Sequence, residues 1–207
     1  MRQTQACWIA GAAAAALVAA GAITYAVASD GGSDAVPAAD SADAGFARDM
    51  AVHHQQAVEM SYIVRDRTDD EDVRRLAYDI AQTQANQRGM LLGWLDLWKL
   101  PKVSAEPPMS WMGMGDAPSK GDGSLMPGMA TDDEMAKLSE LNGKAAEVWF
   151  LQLMTDHHRG GIHMAEGCLS ACAVEVEKDL ARGMAEAQQS DIDLMADLLA
   201  ERGAKAR

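Results

Sequence analysis

Residues 50–60 read MAVHHQQAVEM and residues 154–164 read MTDHHRGGIHM, so four of the five histidines stand in two adjacent pairs, bracketed by methionines at matching offsets. One offset of 104 maps Phe46 on Phe150, Met50 on Met154, His53 on His157, His54 on His158, Met60 on Met164 and, without a gap, Gln84 on Gln188. A register held over that distance marks an internal duplication, and a duplicated unit predicts a fold of two like halves. In the first copy Phe46, Met50, Ala57, Met60 and Ile63 recur at helical spacing, which predicts a helix over about 44–67.

The rest of the chain reads as helix too. Alanine is abundant, aromatic residues make up 5%, and β-branched runs that would feed a sheet are few. TDDE at 68–71 predicts a Thr68 N-cap with a capping box, opening a second helix that runs to about Trp98 and ends before Pro101. A second TDDE at 131–134 restarts helix, Asn142-Gly143 interrupts it, Lys144 to Gly167 carries the second histidine pair, and a last helix spans about Val174 to Glu201. Residues 101–130 hold five of the six prolines and no apolar period, the pattern of a long crossover. The expected fold is therefore all-α: a ferritin-like four-helix bundle made of two duplicated helical hairpins, 44–100 and 131–203, joined by the 101–130 crossover.

The N-terminal 29 residues carry one Arg and then an apolar run ending in Ala26-Val27-Ala28, the layout of a signal peptide with a small-residue cleavage site. The run of about 22 residues is also long enough to stay as a membrane anchor. Either reading places the 44–203 domain outside the cytoplasm, secreted or anchored, behind a flexible acidic tether at 30–43. A net charge of −13 disfavours nucleic acid and anionic lipid, concentrates cations, and leaves the N-terminal segment as the only membrane contact. In an oxidising compartment Cys168 and Cys172 of GCLSAC read as a disulfide rather than two free thiols. An i, i+4 pair has marginal bridging geometry inside a regular helix, so the bridge is expected at a helix end or turn.

With His53 at zero on a helical wheel, Met50, Ala57 and Met60 fall within about 60° of it, and His54 lies about 100° away on the flank. His157, Met154, Gly161 and Met164 repeat that stripe, with Gly160 and Gly161 leaving room for close approach. If the copies pack face to face, imidazoles and thioethers meet, a donor set that suits Cu(I), with Cu(II) accessible through histidine and carboxylate. The competing reading is core packing, since methionine stripes usually fill cores. Against it, buried histidines need polar partners that alanine and methionine do not supply. Gln84 and Gln188 are candidates to hydrogen-bond the pairs. His163 stands opposite Glu59 in the repeat, about 120° off the stripe, and either pairs with a carboxylate or marks a separate, more exposed site. In the crossover Met109, Met112, Met114, Met126 and Met129 lie in a Pro/Gly-rich setting and are further ligand candidates, or else fill grooves as the segment drapes over the helices.

No G-x-S-x-G, phosphate-binding glycine loop or E-x-x-H is present, which argues against nucleophilic, nucleotide and di-iron chemistry. FARDMAVHHQQAVEMS, FLQLMTDHHRGGIHMAEG, the glutamines of the following helices and the MPGM loop together resemble the bacterial family called domain of unknown function 305 over about residues 43–202. That resemblance implies a ferritin-like four-helix fold, an exported protein, and copper binding of the kind used in copper resistance. It implicates Met50, His53, His54, Met60, Met154, His157, His158 and Met164, then His163 and the loop methionines. The family pattern places an acidic residue three after the helix glutamine, and Gln87 departs from it. The function expected is extracytoplasmic sequestration or delivery of Cu(I) or Cu(II), with copper ions and other copper-handling proteins as partners and no reaction required. A metal-free helical interaction module and a copper-dependent redox enzyme are the alternatives.

Overall fold

The computed structural model of the chain describes residues 36–115 and 121–207, so the expected leader or anchor and residues 30–35 of the expected tether lie outside the described residues. Five α-helices follow one another: α1 (Ala42–Arg65), α2 (Glu71–Leu97), α3 (Asp132–Glu140), α4 (Gly143–Ala171) and α5 (Glu175–Glu201). No strand occurs among the described residues, and no helix among them is long and apolar enough to cross a membrane. The crossover contributes one 3-10 turn, Ser110–Met112.

The duplicated halves become two hairpins, α1 with α2 and α4 with α5, and they meet mainly through α1 and α4, the two histidine-bearing helices. Two apolar clusters result. One gathers Met60, Val64, Leu76, Ile80, Phe150, Met154 and Met195. The other gathers Phe46, Met50, Leu91, Leu95, Met164, Cys168 and Met184, and takes Met109 and Met126 from the crossover. Equivalent methionines are thus separated: Met50 shares a cluster with Met164, and Met60 with Met154.

Each half also clamps the turn of the other. Asp43 Oδ1 accepts from the backbone N–H groups of Ala173 (2.8 Å) and Val174 (2.7 Å), where α5 begins. Its equivalent Glu147 accepts from Thr68 Oγ1 (2.6 Å) and from Arg202 Nε (2.7 Å) at the turn before α2. This second clamp explains why the two TDDE sequences behave differently. Thr131 and Glu134 form the expected capping box. Thr68 does not cap: its hydroxyl donates to Glu147 and accepts from Asp70 N–H, and Asp70 takes over as N-cap by accepting from Val73 N–H. Gly143 ties the halves once more, donating its N–H to Arg67 O (2.6 Å) with φ +54, a left-handed conformation that costs glycine little.

Cys168 and Cys172 are bonded, with Cys172 as C-cap of α4, so the bridge sits at a helix end as expected. Removing the Glu147 carboxylate by Glu147→Ala takes away the acceptor of the buried Thr68 O–H, which keeps only the bond it accepts from Asp70 N–H, and leaves Arg202 Nε unpaired. We expect a loss of about 2 kcal/mol in urea unfolding, with Asp70 still capping α2.

Candidate metal centre

Packing α1 on α4 places all four paired histidines in the interior, each 0% exposed. His53 and His157 meet at the centre with ring centroids 3.8 Å apart and planes tilted by 34°. His54 and His158, expected on the flank of the stripe, are equally enclosed because α2 and α5 cover them.

Every Nε2 has an oxygen partner. His53 Nε2 lies 3.2 Å from Pro127 O, and His157 Nε2 lies 2.9 Å from the backbone oxygen of His53. His54 Nε2 lies 2.9 Å from Gln87 Oε1, and His158 Nε2 lies 3.1 Å from Asp191 Oδ2. These oxygens accept and do not donate, so each Nε2 carries the hydrogen. Every Nδ1, in contrast, is buried without a partner. Burial pushes the His53 pKa down to about 4 and that of His54 to about 3, and holds His157 well below its ordinary value; nearby imidazoles lower all three further. These three rings are neutral at pH 7, and their Nδ1 atoms present bare lone pairs in a dry interior. A histidine that gives its N–H to a carbonyl or carboxylate and keeps the other nitrogen free is arranged as metal-binding histidines are.

Glutamines 84 and 188 do not bond the pairs. Gln87 and Asp191, one turn further on, do so instead, while Gln84 Oε1 and both amide atoms of Gln188 stay buried without partners. The two glycines serve neighbours other than α1. A side chain at Gly160 would collide with Pro127 O, and one at Gly161 with the Gln188 amide. Gly160 thus admits the MPGM segment to the helix surface, which lets Pro127 reach His53.

The crossover is fastened along one side of α1, a role that sequence reasoning missed. Asp49 Oδ2 accepts from Met109 N–H (2.7 Å) and Trp111 Nε1–H (2.9 Å). Gln56 exchanges two hydrogen bonds with Ala130, 2.9 and 2.7 Å. Asp49 and Gln56 are polar residues seven apart in the first histidine helix, and that spacing was the available signal. Met109 and Met126 are consequently buried, Met112 and Met129 pack against the same cluster, and Met114 is exposed. Four of the five loop methionines therefore fill grooves. His163 and Glu59 are exposed on the outer faces of α4 and α1, away from the enclosed layer.

The histidines do not converge as three imidazoles on one point. The one group of three or more His, Cys, Asp or Glu donor atoms lying within 4.8 Å of one another, among the described residues, is Cys168, Cys172 and Glu177. What the histidine layer offers is individual imidazole nitrogens between two apolar clusters that both carry thioethers.

A model of the family described as Domain of unknown function (DUF305) matches residues 43–199. Among solved structures, a DUF305 protein from Streptomyces coelicolor, provisionally described as secreted, is 75% identical, with a TM-score of 0.77 over 82% of this chain and 99% of its own. A DUF305 fragment from Deinococcus radiodurans is 29% identical, with a TM-score of 0.65 over 77% of this chain and 96% of its own. CopM in the Cu(I)-bound form is 18% identical, with a TM-score of 0.60 over 77% of this chain and 96% of its own. CopM has also been solved in Cu(II)-bound and Ag-bound forms. No curated protein matches the chain.

The depressed histidine pKa values set a pH dependence for the metal-free protein. The folded state binds fewer protons than the unfolded chain once pH drops below about 6.5, so stability is full above that value and falls as pH descends towards the folded pKa values of about 4 and 3. We expect each of these histidines to add a slope of up to about 1.4 kcal/mol per pH unit in that window, measured by urea unfolding. His53→Gln should flatten it.

Proposed function

We propose soft-metal binding, with copper as the cargo, as the function of this chain, which belongs to the DUF305 family. The carrying observation is the layer of four buried imidazoles whose Nε2 atoms are hydrogen-bonded and whose Nδ1 atoms are free. A lone pair sealed from water without a donor costs stability unless something occupies it. The two apolar clusters carry the thioethers of the repeated motif, Met50 and Met164 in one and Met60 and Met154 in the other. Neutral imidazole with thioether favours Cu(I) over hard cations, and silver shares that softness. The copper and silver forms of CopM accord with this, at an identity that carries only the fold.

In this reading His53, His54, His157 and His158 hold copper with Met50, Met60, Met154 and Met164, while Gln87 and Asp191 orient their imidazoles. The loop methionines contribute by lining the cluster around Met50 and Met164, and His163 is outside the set. The domain at 44–203 is a ferritin-like four-helix bundle, exported by its N-terminal segment, that sequesters copper or passes it to other copper-handling proteins. A metal-free interaction module accounts less well for four unpaired buried nitrogens.

Cu(I) competition against a chromophoric chelator, on protein beginning near Asp30, tests the proposal. Replacing His53 and His157 by Ala should weaken Cu(I) about tenfold or more with helicity kept. Unchanged affinity in that folded variant refutes the reading, and binding lost only on deleting residues 109–129 moves the site to the crossover. Copper must also pass the segment that Gln56 holds over the layer through Ala130. Gln56→Ala should therefore speed copper uptake in stopped-flow mixing while lowering unfolding stability by about 1–2 kcal/mol.

A further inference from the structure

The turn between α4 and α5 carries a second donor set that the histidine layer does not use. Cys168 Sγ, Cys172 Sγ and a Glu177 carboxylate oxygen all lie within 4.8 Å of one another. Glu177 is 0% exposed, and its carboxyl faces that of Asp43, with which it shares a hydrogen bond in its protonated form. Cys168 is likewise 0% exposed, while Cys172 keeps 7% and is the one member that a reagent can reach.

The carboxyl at this turn has no counterpart in the first half. The equivalent position in the first half is Val73, which simply joins the apolar core. Burial together with the Asp43 carboxylate pushes the Glu177 pKa up to about 9, so a proton occupies a place where a cation would be held by charge on two sides. Asp43 is fixed by its bonds to Ala173 and Val174 N–H and cannot easily swing away. The group that could use such a place is on hand once the disulfide opens, because two cysteines four apart at a helix end have Cα atoms 4.8 Å apart.

We propose that the Cys168–Cys172 disulfide masks a redox-gated metal site, in which reduction frees two thiolates that bind a thiophilic d10 cation such as Zn(II) together with the Glu177 carboxylate. The reductant is a dithiol. Its two electrons break the Sγ–Sγ bond, its two hydrogens form the two S–H groups, and it departs as its own disulfide. On binding, the cation displaces both thiol protons and the Glu177 proton to solvent. Two thiolates and one carboxylate leave an open position, as three-ligand zinc sites do. Exchange with an oxidised dithiol, which takes up the two electrons with two protons from solvent and leaves as the dithiol, re-forms the Sγ–Sγ bond, removes both sulfur ligands at once and releases the ion.

The experiment compares the oxidised protein with protein reduced by a phosphine, which does not compete for metal as a thiol would. Zn(II) is titrated against a chromophoric chelator, Co(II) is used for its thiolate charge-transfer band, and circular dichroism monitors the fold. One additional equivalent is expected in the reduced form, with the band present. Glu177→Gln, which keeps the neutral shape, should weaken that equivalent on the order of tenfold or more. Cys168→Ser with Cys172→Ser should remove it. No additional equivalent, full affinity in Glu177→Gln, an equivalent that survives the double serine variant, or loss of helicity on reduction would each overturn the proposal. The histidine layer is unaltered in every variant, so failure here is distinguishable from failure of copper binding there.

Discussion

Four imidazoles enclosed in a helical core need oxygen acceptors for their N–H groups, and that need organises much of the molecule. Two acceptors come from the covering helices, as Gln87 and Asp191. The other two come from backbone: His157 takes the carbonyl oxygen of His53 on the facing helix, and His53 takes Pro127 from the crossover. Because Pro127 is needed there, the crossover cannot hang free. Gln56 and Asp49 fasten it along α1, and Gly160 makes space for its backbone against α4. An apparently irregular connection is thus bound into the core by the hydrogen-bonding requirement of one side chain.

The helices were readable in the sequence because periodicity and an exact duplication each point to them independently. The halves' relation was readable for the same reason, and the meeting of His53 with His157 followed from it. What escaped was everything decided by a partner from elsewhere in the chain. Thr68 has the local sequence of a cap, but Glu147 takes its hydroxyl, 79 residues away. Gly160 and Gly161 signal close approach without saying whose, and the answers are a loop carbonyl and a glutamine amide. Methionines in a Pro/Gly-rich segment have no period to reveal that they are buried, yet Met109 and Met126 are as enclosed as helix residues. Local pattern fixes the elements, whereas competition among long-range partners fixes which side chain does what.

The two halves keep their geometry but have diverged where the crossover lands. Gln56 holds Ala130, whereas its equivalent Gly160 yields space to the same segment. Only one site exists for a single loop, so the pseudo-symmetric positions had to become complementary rather than alike. Gln87 and Asp191 differ as well, giving His54 a neutral partner and His158 a carboxylate. A carboxylate and an amide are different acceptors for the ring N–H, so the two outer histidines are held differently even though their surroundings repeat.

The same divergence separates the two ends of the core. The cluster around Met60 and Met154 is built largely from aliphatic side chains. The cluster around Met50 and Met164 adds Met109, Met126 and Met184, with Met112 and Met129 packed on its edge, and it contains both cysteines. Sulfur is polarizable and thioethers adapt to irregular space, so the two ends of the core differ in chemistry as well as in sequence. The crossover methionines enter the interior at this same end, and the segment that supplies them also supplies the carbonyl over His53. That segment therefore ties the histidine layer to the sulfur-rich end through adjacent residues, with Met126 in the cluster and Pro127 over His53.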